Sequence, residues 1–283
     1  MIKSTRCFEL SASVIFLLVV ITSLSAQSTS TSLETTAYET ITFASTDGLK
    51  ITADLYQPHS ADQTPWIVLC HQAGWSRGEY REIAPKLGEL GFNCLAMDQR
   101  SGGAVNQVEN ETAKIAKRLG KGTGFVDAEQ DIVIAIEFIR KKHATGKLLL
   151  WGSSYSSALA LRIAGEQPKL IDGVLAFAPG EYFGRFGKPD NWIAQSAAKI
   201  TVPTLITSAK NERPRWQAIY AAIPGDNKVQ FLPSTPGKHG SRALWSRFSD
   251  SQDYWKVVTA FLQPFAAEGN SRQTQAPQTE NNG

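Results

Sequence analysis

The sequence predicts an α/β fold: a three-layer α/β/α sandwich around a mostly parallel, eight-stranded sheet, without a large cap domain. Three observations carry this. From residue 66 onward, short continuous apolar runs alternate with amphipathic helical stretches. Strands apolar on both faces belong to sheets covered by helices on both sides. Ahead of them, two strand-like runs meet at Asp47-Gly48, a hairpin signal. The chain has 283 residues, which suits one large α/β domain.

The elements follow in order. Residues 40–45 and 50–57 form the opening hairpin; in the second run Ile51, Ala53 and Leu55 alternate with Thr52, Asp54 and Tyr56. Then come strand 66–70, helix 79–90, strand 92–97, helix 126–142, strand 147–151 and helix 155–167. Strands 171–178 and 203–208, helix 213–222, strand 228–232 and helix 251–264 complete the domain, set at 38–266. Two insertions, 99–125 and 179–200, emerge beyond strand ends. Long loops in a compact domain are usually functional, and ligands of such sheets bind beyond the carboxyl ends of the strands. Both insertions are therefore candidate pocket walls, and neither is long enough for a separate lid.

The termini read differently. Lys3 and Arg6 precede an apolar core, Val14–Ile21, and a small-residue exit ending at Ala26. That is the pattern of a signal peptide over 1–26, so the chain is expected to be exported, periplasmic or secreted, with no stable membrane insertion after cleavage. Residues 27–37 read as a polar linker and 267–283 as a disordered polar tail.

A net charge of +3, with no basic cluster interleaved with aromatics, argues against a nucleic-acid partner. The four histidines show no metal-ligand spacing, so no metal site is expected. Cys7 would leave with the leader; Cys70 and Cys94 sit in apolar strands and read as buried thiols. Asn110-Glu111-Thr112 has the spacing of a glycosylation acceptor for a eukaryotic host. Nothing in the sequence sets the oligomeric state.

The chemistry centres on Gly152-Ser153-Ser154-Tyr155-Ser156. An apolar strand, a sharp turn and a helix surround it, the context of a nucleophile elbow. Residues two before and two after the nucleophile must be small. Gly152 and Ser156 satisfy this for Ser154, whereas Trp151 and Tyr155 exclude Ser153. A serine hydroxyl needs a base, and the base needs an orienting acid. His239, in a glycine-flanked loop after the last strand, is the candidate base. Glu212 is the first acid beyond strand 203–208 and the candidate acid; Glu181 is the alternative, and Asp226 a weaker one. The backbone N–H of Tyr155 and that of Ala73, or else Gln72, are candidate oxyanion donors. Trp75, Tyr155, Tyr182 and Phe183 are candidate substrate-contacting walls.

Taken together, the segments 71–78, 96–103, 152–156, 202–206 and 238–240 resemble the α/β-hydrolase superfamily, and within it the dienelactone-hydrolase-like, single-domain serine esterases. The resemblance covers about residues 40–264. It implies hydrolysis of carboxylic ester or thioester bonds of small molecules, without a cofactor, by Ser154, His239 and Glu212. Peptidase, acyltransferase or non-catalytic binding on the same scaffold are the alternatives. Besides Ser156 in place of the second elbow glycine, three departures stand out: Ser154 in place of the cysteine of dienelactone hydrolases proper, Glu212 in place of the commoner aspartate, and Gln72 in the oxyanion loop where many relatives have glycine.

Overall fold

The computed structural model describes Met1, residues 38–143 and residues 146–271, with side chains up to residue 266. The expected leader, the linker and the tail beyond Ser271 lie outside the described residues.

The opening hairpin is β1 (Glu39–Ala44) and β2 (Lys50–Tyr56), followed by β3 (Trp66–Cys70), α1 (Ile83–Glu89) and β4 (Asn93–Met97). The first insertion contributes a small hairpin, β5 (Ala104–Val105) and β6 (Val108–Glu109), and α2 (Glu111–Arg118). Next come α3 (Glu129–Lys142), β7 (Leu148–Ser153), α4 (Tyr155–Glu166) and β8 (Gly173–Phe177). The second insertion carries α5 (Trp192–Ala197). The chain ends with β9 (Thr204–Thr207), α6 (Arg213–Ala222), β10 (Lys228–Phe231) and α7 (Ser251–Ser271).

Eight strands form one sheet in the order β1-β2-β4-β3-β7-β8-β9-β10. Only β2 runs against the others, pairing antiparallel with both β1 and β4. The continuous apolar runs explain the layers. In β3, Trp66, Val68 and Cys70 join one apolar cluster with α3, α4, α5 and α6, while Ile67 and Leu69 join a second with α1 and α7. In β7, Leu148 and Leu150 face the first layer; Leu149 and Trp151 face the second. Strict alternation between two buried faces is what a covered parallel sheet requires. Cys70 and Cys94 are free, buried thiols, and burial pushes both well above the usual thiol range.

Helices 111–118 and 192–197 and the small hairpin were not anticipated. Both helices depend on distant or adjacent polar groups for their starts. Asn110 caps α2 by accepting the Ala113 N–H at 2.7 Å. Glu181 accepts the N–H groups of Ile193 and Ala194 in α5, each at 2.9 Å. The Asn110 cap also corrects the glycosylation reading. Its residue is 1% exposed, and its amide donates to Trp75 O (3.1 Å) and Gln99 O (2.9 Å), so no sugar can reach it in the folded chain. α7 runs to Ser271, beyond the expected end at 264, with Pro264 inside it.

Candidate active site

Parallel pairing brings the carboxyl ends of the strands to one edge. Cys70 is level with Gly152, Ser153 with Phe177, Phe177 with Thr207, and Thr207 with Phe231. The loops that carry residues 71–76, 154, 178–182, 208–212 and 232–241 all emerge there.

Ser154 sits at the sharpest turn of that edge. Its φ of 59° and ψ of −122° lie outside the regions a non-glycine residue prefers. The strain is held by its own backbone: its N–H donates to Phe177 O at 2.7 Å, and its carbonyl accepts the Ser157 N–H at 2.9 Å. Gly152 makes the turn possible, because a methyl group there would collide with the backbone of Ser156 and Ser157. Ser154 itself is 8% exposed, whereas Ser153 is fully buried. Ser156 is more than a small residue. Its hydroxyl lies 2.7 Å from Cys70 O and 2.8 Å from His71 O, and it accepts the Ser153 N–H at 3.0 Å.

His239 and Glu212 meet: the His239 Nδ1–H donates to Glu212 Oε1 at 2.6 Å. Burial alone would raise the Glu212 carboxyl. The bond and charge of His239, the Ala209 N–H and the nearby Arg215 outweigh it and hold the group below the usual glutamate range. Glu181 is not beside His239; both its oxygens are taken by α5, so the structure gives it a capping role. Asp226 precedes β10, at the opposite edge of the sheet. The His239 loop is tied to the elbow through the next residues, since the Ser241 N–H donates to Ser153 Oγ at 2.9 Å. Between them Gly240 has φ 71°, and a Cβ there would lie 2.5 Å from Ser153 Oγ.

In the loop after β3 the two candidate donors differ. The Gln72 N–H is committed to Glu79 Oε2 at 2.8 Å. The Ala73 N–H donates to no acceptor among the described residues, which leaves it free for a ligand oxygen. His71 is no base. It is fully buried, its Nδ1–H donates to Gln72 O, and its Nε2 accepts from the Gln99 N–H. Burial pushes its pKa down to about 4, so it stays neutral and serves to hold the loop.

Of the expected walls, two fit. Trp75 is part-exposed and stacks on Trp245, ring centroids 5.3 Å apart. Tyr182 borders a cleft of about 350 Å³ with Gly180, Glu181 and Arg215. Its hydroxyl donates to Ala178 O at 2.7 Å and lies close to the Ser154 hydroxyl and Arg215. The other two do not fit. The Tyr155 ring is fully buried against Phe125, and Phe183 is buried edge-on to Trp192. Tyr155 thus offers the site its backbone, not its ring.

Sequence reasoning missed Glu79, Ser153 and Ala178. Ala178, directly after β8, holds a left-handed φ of 56° that no local residue type signals. Ser153 was set aside as a nucleophile and its bridging role was not foreseen. Glu79 looked like one more polar residue of helix 79–90, yet it is completely buried.

The strand order and the strand–turn–helix around Ser154 are those of the α/β-hydrolase fold. A family model described as serine aminopeptidase, S33, matches residues 61–185, the stretch from β3 through the elbow to the loop after β8. No curated protein matches significantly. Among solved structures, an esterase of Pyrococcus furiosus superposes with TM-score 0.63 at 15% identity, over 81% of this chain and 93% of that one. Dienelactone hydrolase from Anabaena variabilis gives TM-score 0.61 at 15% identity, over 81% and 98%. An esterase domain of a Rhodothermus marinus protein gives 0.57 at 15%, over 81% and 99%. These likenesses, all at 15% identity, show that the chain has the α/β-hydrolase fold.

Proposed function

We propose that this protein is an exported serine hydrolase, periplasmic or secreted, that cleaves carboxylic ester or thioester bonds of small substrates. The observation that carries the proposal is Ser154, held at a left-handed φ between β7 and α4. The His239–Glu212 bond and the uncommitted Ala73 N–H support it. In this reading Ser154 Oγ attacks the acyl carbon while His239 Nε2 takes its proton. Glu212 fixes the ring through Nδ1–H and stabilises the imidazolium. The oxyanion accepts from the Tyr155 and Ala73 N–H groups. His239 then returns the proton to the leaving alcohol or thiol, the acyl group stays on Ser154, and a water activated by His239 releases the acid.

The test is labelling by a fluorophosphonate together with turnover of a short-chain nitrophenyl ester. Wild type should be labelled at Ser154, and Ser154→Ala should lose both labelling and turnover. Equal turnover by wild type and Ser154→Ala would instead favour a binding protein on this scaffold. A second reading, aminopeptidase, is favoured by the description of the matching family model. Turnover of aminoacyl nitroanilides above that of nitrophenyl esters would select it.

A further inference from the structure

Glu79 is a fully buried carboxylate without a salt bridge among the described residues. Such a group is costly, because burial opposes its charge. Arg242 acts on it only through space. Its hydrogen bonds go to the reacting edge instead. Oε2 accepts the Gln72 N–H at 2.8 Å, and Oε1 accepts the Ser153 hydroxyl at 2.7 Å. Ser153 Oγ in turn accepts the Ser241 N–H at 2.9 Å. The Glu79 carbonyl receives Trp245 Nε1–H at 2.9 Å, from the segment that follows the His239 loop.

These partners belong to three chain segments. Gln72 immediately precedes Ala73, Ser153 immediately precedes Ser154, and Ser241 lies two residues after His239. Ionised, above the value of about 7 to which burial raises it, the carboxylate is acceptor-only and receives donors from two loops at once. Glutamine at this place would turn a donor toward one of them. The tie to Gln72 also withdraws that N–H from the oxyanion position and leaves Ala73 as the donor facing the site.

We propose that Glu79 is a positioning residue that locks the oxyanion loop, the Ser154 turn and the His239 loop into one register through Gln72 N–H and Ser153 Oγ. The proposal rests on the reading of Ser154 as nucleophile. It assigns Glu79 no contact with substrate.

The test compares wild type, Glu79→Gln, Ser153→Ala, the double variant and Ser154→Ala. It uses nitrophenyl acetate kinetics, the rate of fluorophosphonate labelling, and thermal unfolding as a check on folding. We expect Glu79→Gln to lower kcat by about 10- to 100-fold with KM changed less than twofold, the size of effect that small misplacements of reacting groups produce. Labelling of Ser154 should slow in parallel. Ser153→Ala should act in the same direction, and the double variant should be no more than threefold worse than the poorer single, because both cut one chain of contacts. A folded Glu79→Gln protein with kcat within threefold of wild type, or with only KM raised, overturns the proposal. Should Glu79→Gln not fold, Ser153→Ala decides by the same limits. Undiminished turnover by Ser154→Ala would mark failure of the nucleophile reading itself and takes the Glu79 proposal with it.

Discussion

The Ser156 hydroxyl lies 2.7 Å from the carbonyl oxygen of Cys70, one helical residue bonded to the end of a neighbouring strand. At this position a second elbow glycine would make no such contact. The serine both fits the crowded turn and ties α4 to β3, where the oxyanion loop begins. Ser156→Ala keeps the turn sterically possible but strips the side-chain partner from the buried Ser153 N–H, while the Cys70 carbonyl keeps the Tyr80 hydroxyl. A buried donor left unpaired costs about 1–3 kcal/mol. We expect chemical denaturation to show a loss of about 2 kcal/mol, with ester turnover reduced as well. An unchanged midpoint would refute the tie.

Glu212 and Glu181 differ in what they hold, so their substitutions should separate cleanly. Glu212→Gln leaves the His239 ring without an anionic partner. Loss of the orienting acid in a serine triad lowers kcat by up to about 10⁴-fold, and we expect a loss of at least 10²-fold in nitrophenyl ester turnover. Glu181→Gln removes one acceptor from the start of α5 and should cost about 1 kcal/mol of stability while leaving kcat within threefold. A reversed pattern, with Glu181→Gln inactive and Glu212→Gln active, would move the acid role.

Gly152 tests the steric basis of the elbow. A methyl group at that Cα would collide with backbone atoms of Ser156 and Ser157, and backbone cannot swing aside as a flexible side chain can. Overpacking of this kind costs about 1–3 kcal/mol or more. Gly152→Ala should therefore melt well below wild type or fail to accumulate in soluble form. Gly48→Ala is the control: no heavy atom lies within 4 Å of its Cβ position, so only its left-handed φ of 76° opposes the change. Equal melting of the two variants would remove the steric argument.

What the sequence revealed, and what it hid, follows from the range of the forces involved. Strands β3, β4, β7 and β8 are continuous apolar runs, and a run apolar on both faces announces its own burial. That Glu212 and His239 would meet was readable because Glu212 is the first acid beyond β9 and His239 lies in a glycine-flanked loop after β10, positions fixed by chain connectivity. Helices α2 and α5 were not readable. α2 opens on an Asn110 whose amide reaches back to Trp75, and α5 is capped by a glutamate that was itself a rival for the acid role. Glu79 was hidden for a related reason. It sits just ahead of α1 in a 3-10 turn, Arg77–Tyr80, where helical periodicity assigns it no face. One donor to its carboxylate, Ser153, is 74 residues away along the chain, and the donor to its carbonyl, Trp245, is 166 away. Contacts of that range leave no local pattern.

The stability of the protein should carry the signature of Glu79 in its pH dependence. Burial pushes the Glu79 pKa up to about 7, against an ordinary value of 4.5. Between those values the folded chain holds a proton that the unfolded chain has released. Stability therefore falls as pH rises through this window and levels off above about 7. A shift of this size corresponds to about 3 kcal/mol, at about 1.36 kcal/mol per pH unit. Of the titratable groups around it, burial keeps Cys70, Tyr80 and Tyr155 protonated throughout. His71 has the opposite dependence, since its depressed pKa makes the folded chain gain stability from about pH 4 to 6.5. That contribution is common to wild type and Glu79→Gln and cancels in their difference. Thermal unfolding of the two proteins at pH 5 and pH 8 should show Glu79→Gln gaining on wild type at the higher pH. A difference that stays constant between the two pH values would mean that the Glu79 proton is released well below neutrality, and that the carboxylate is stabilised in place by its donors.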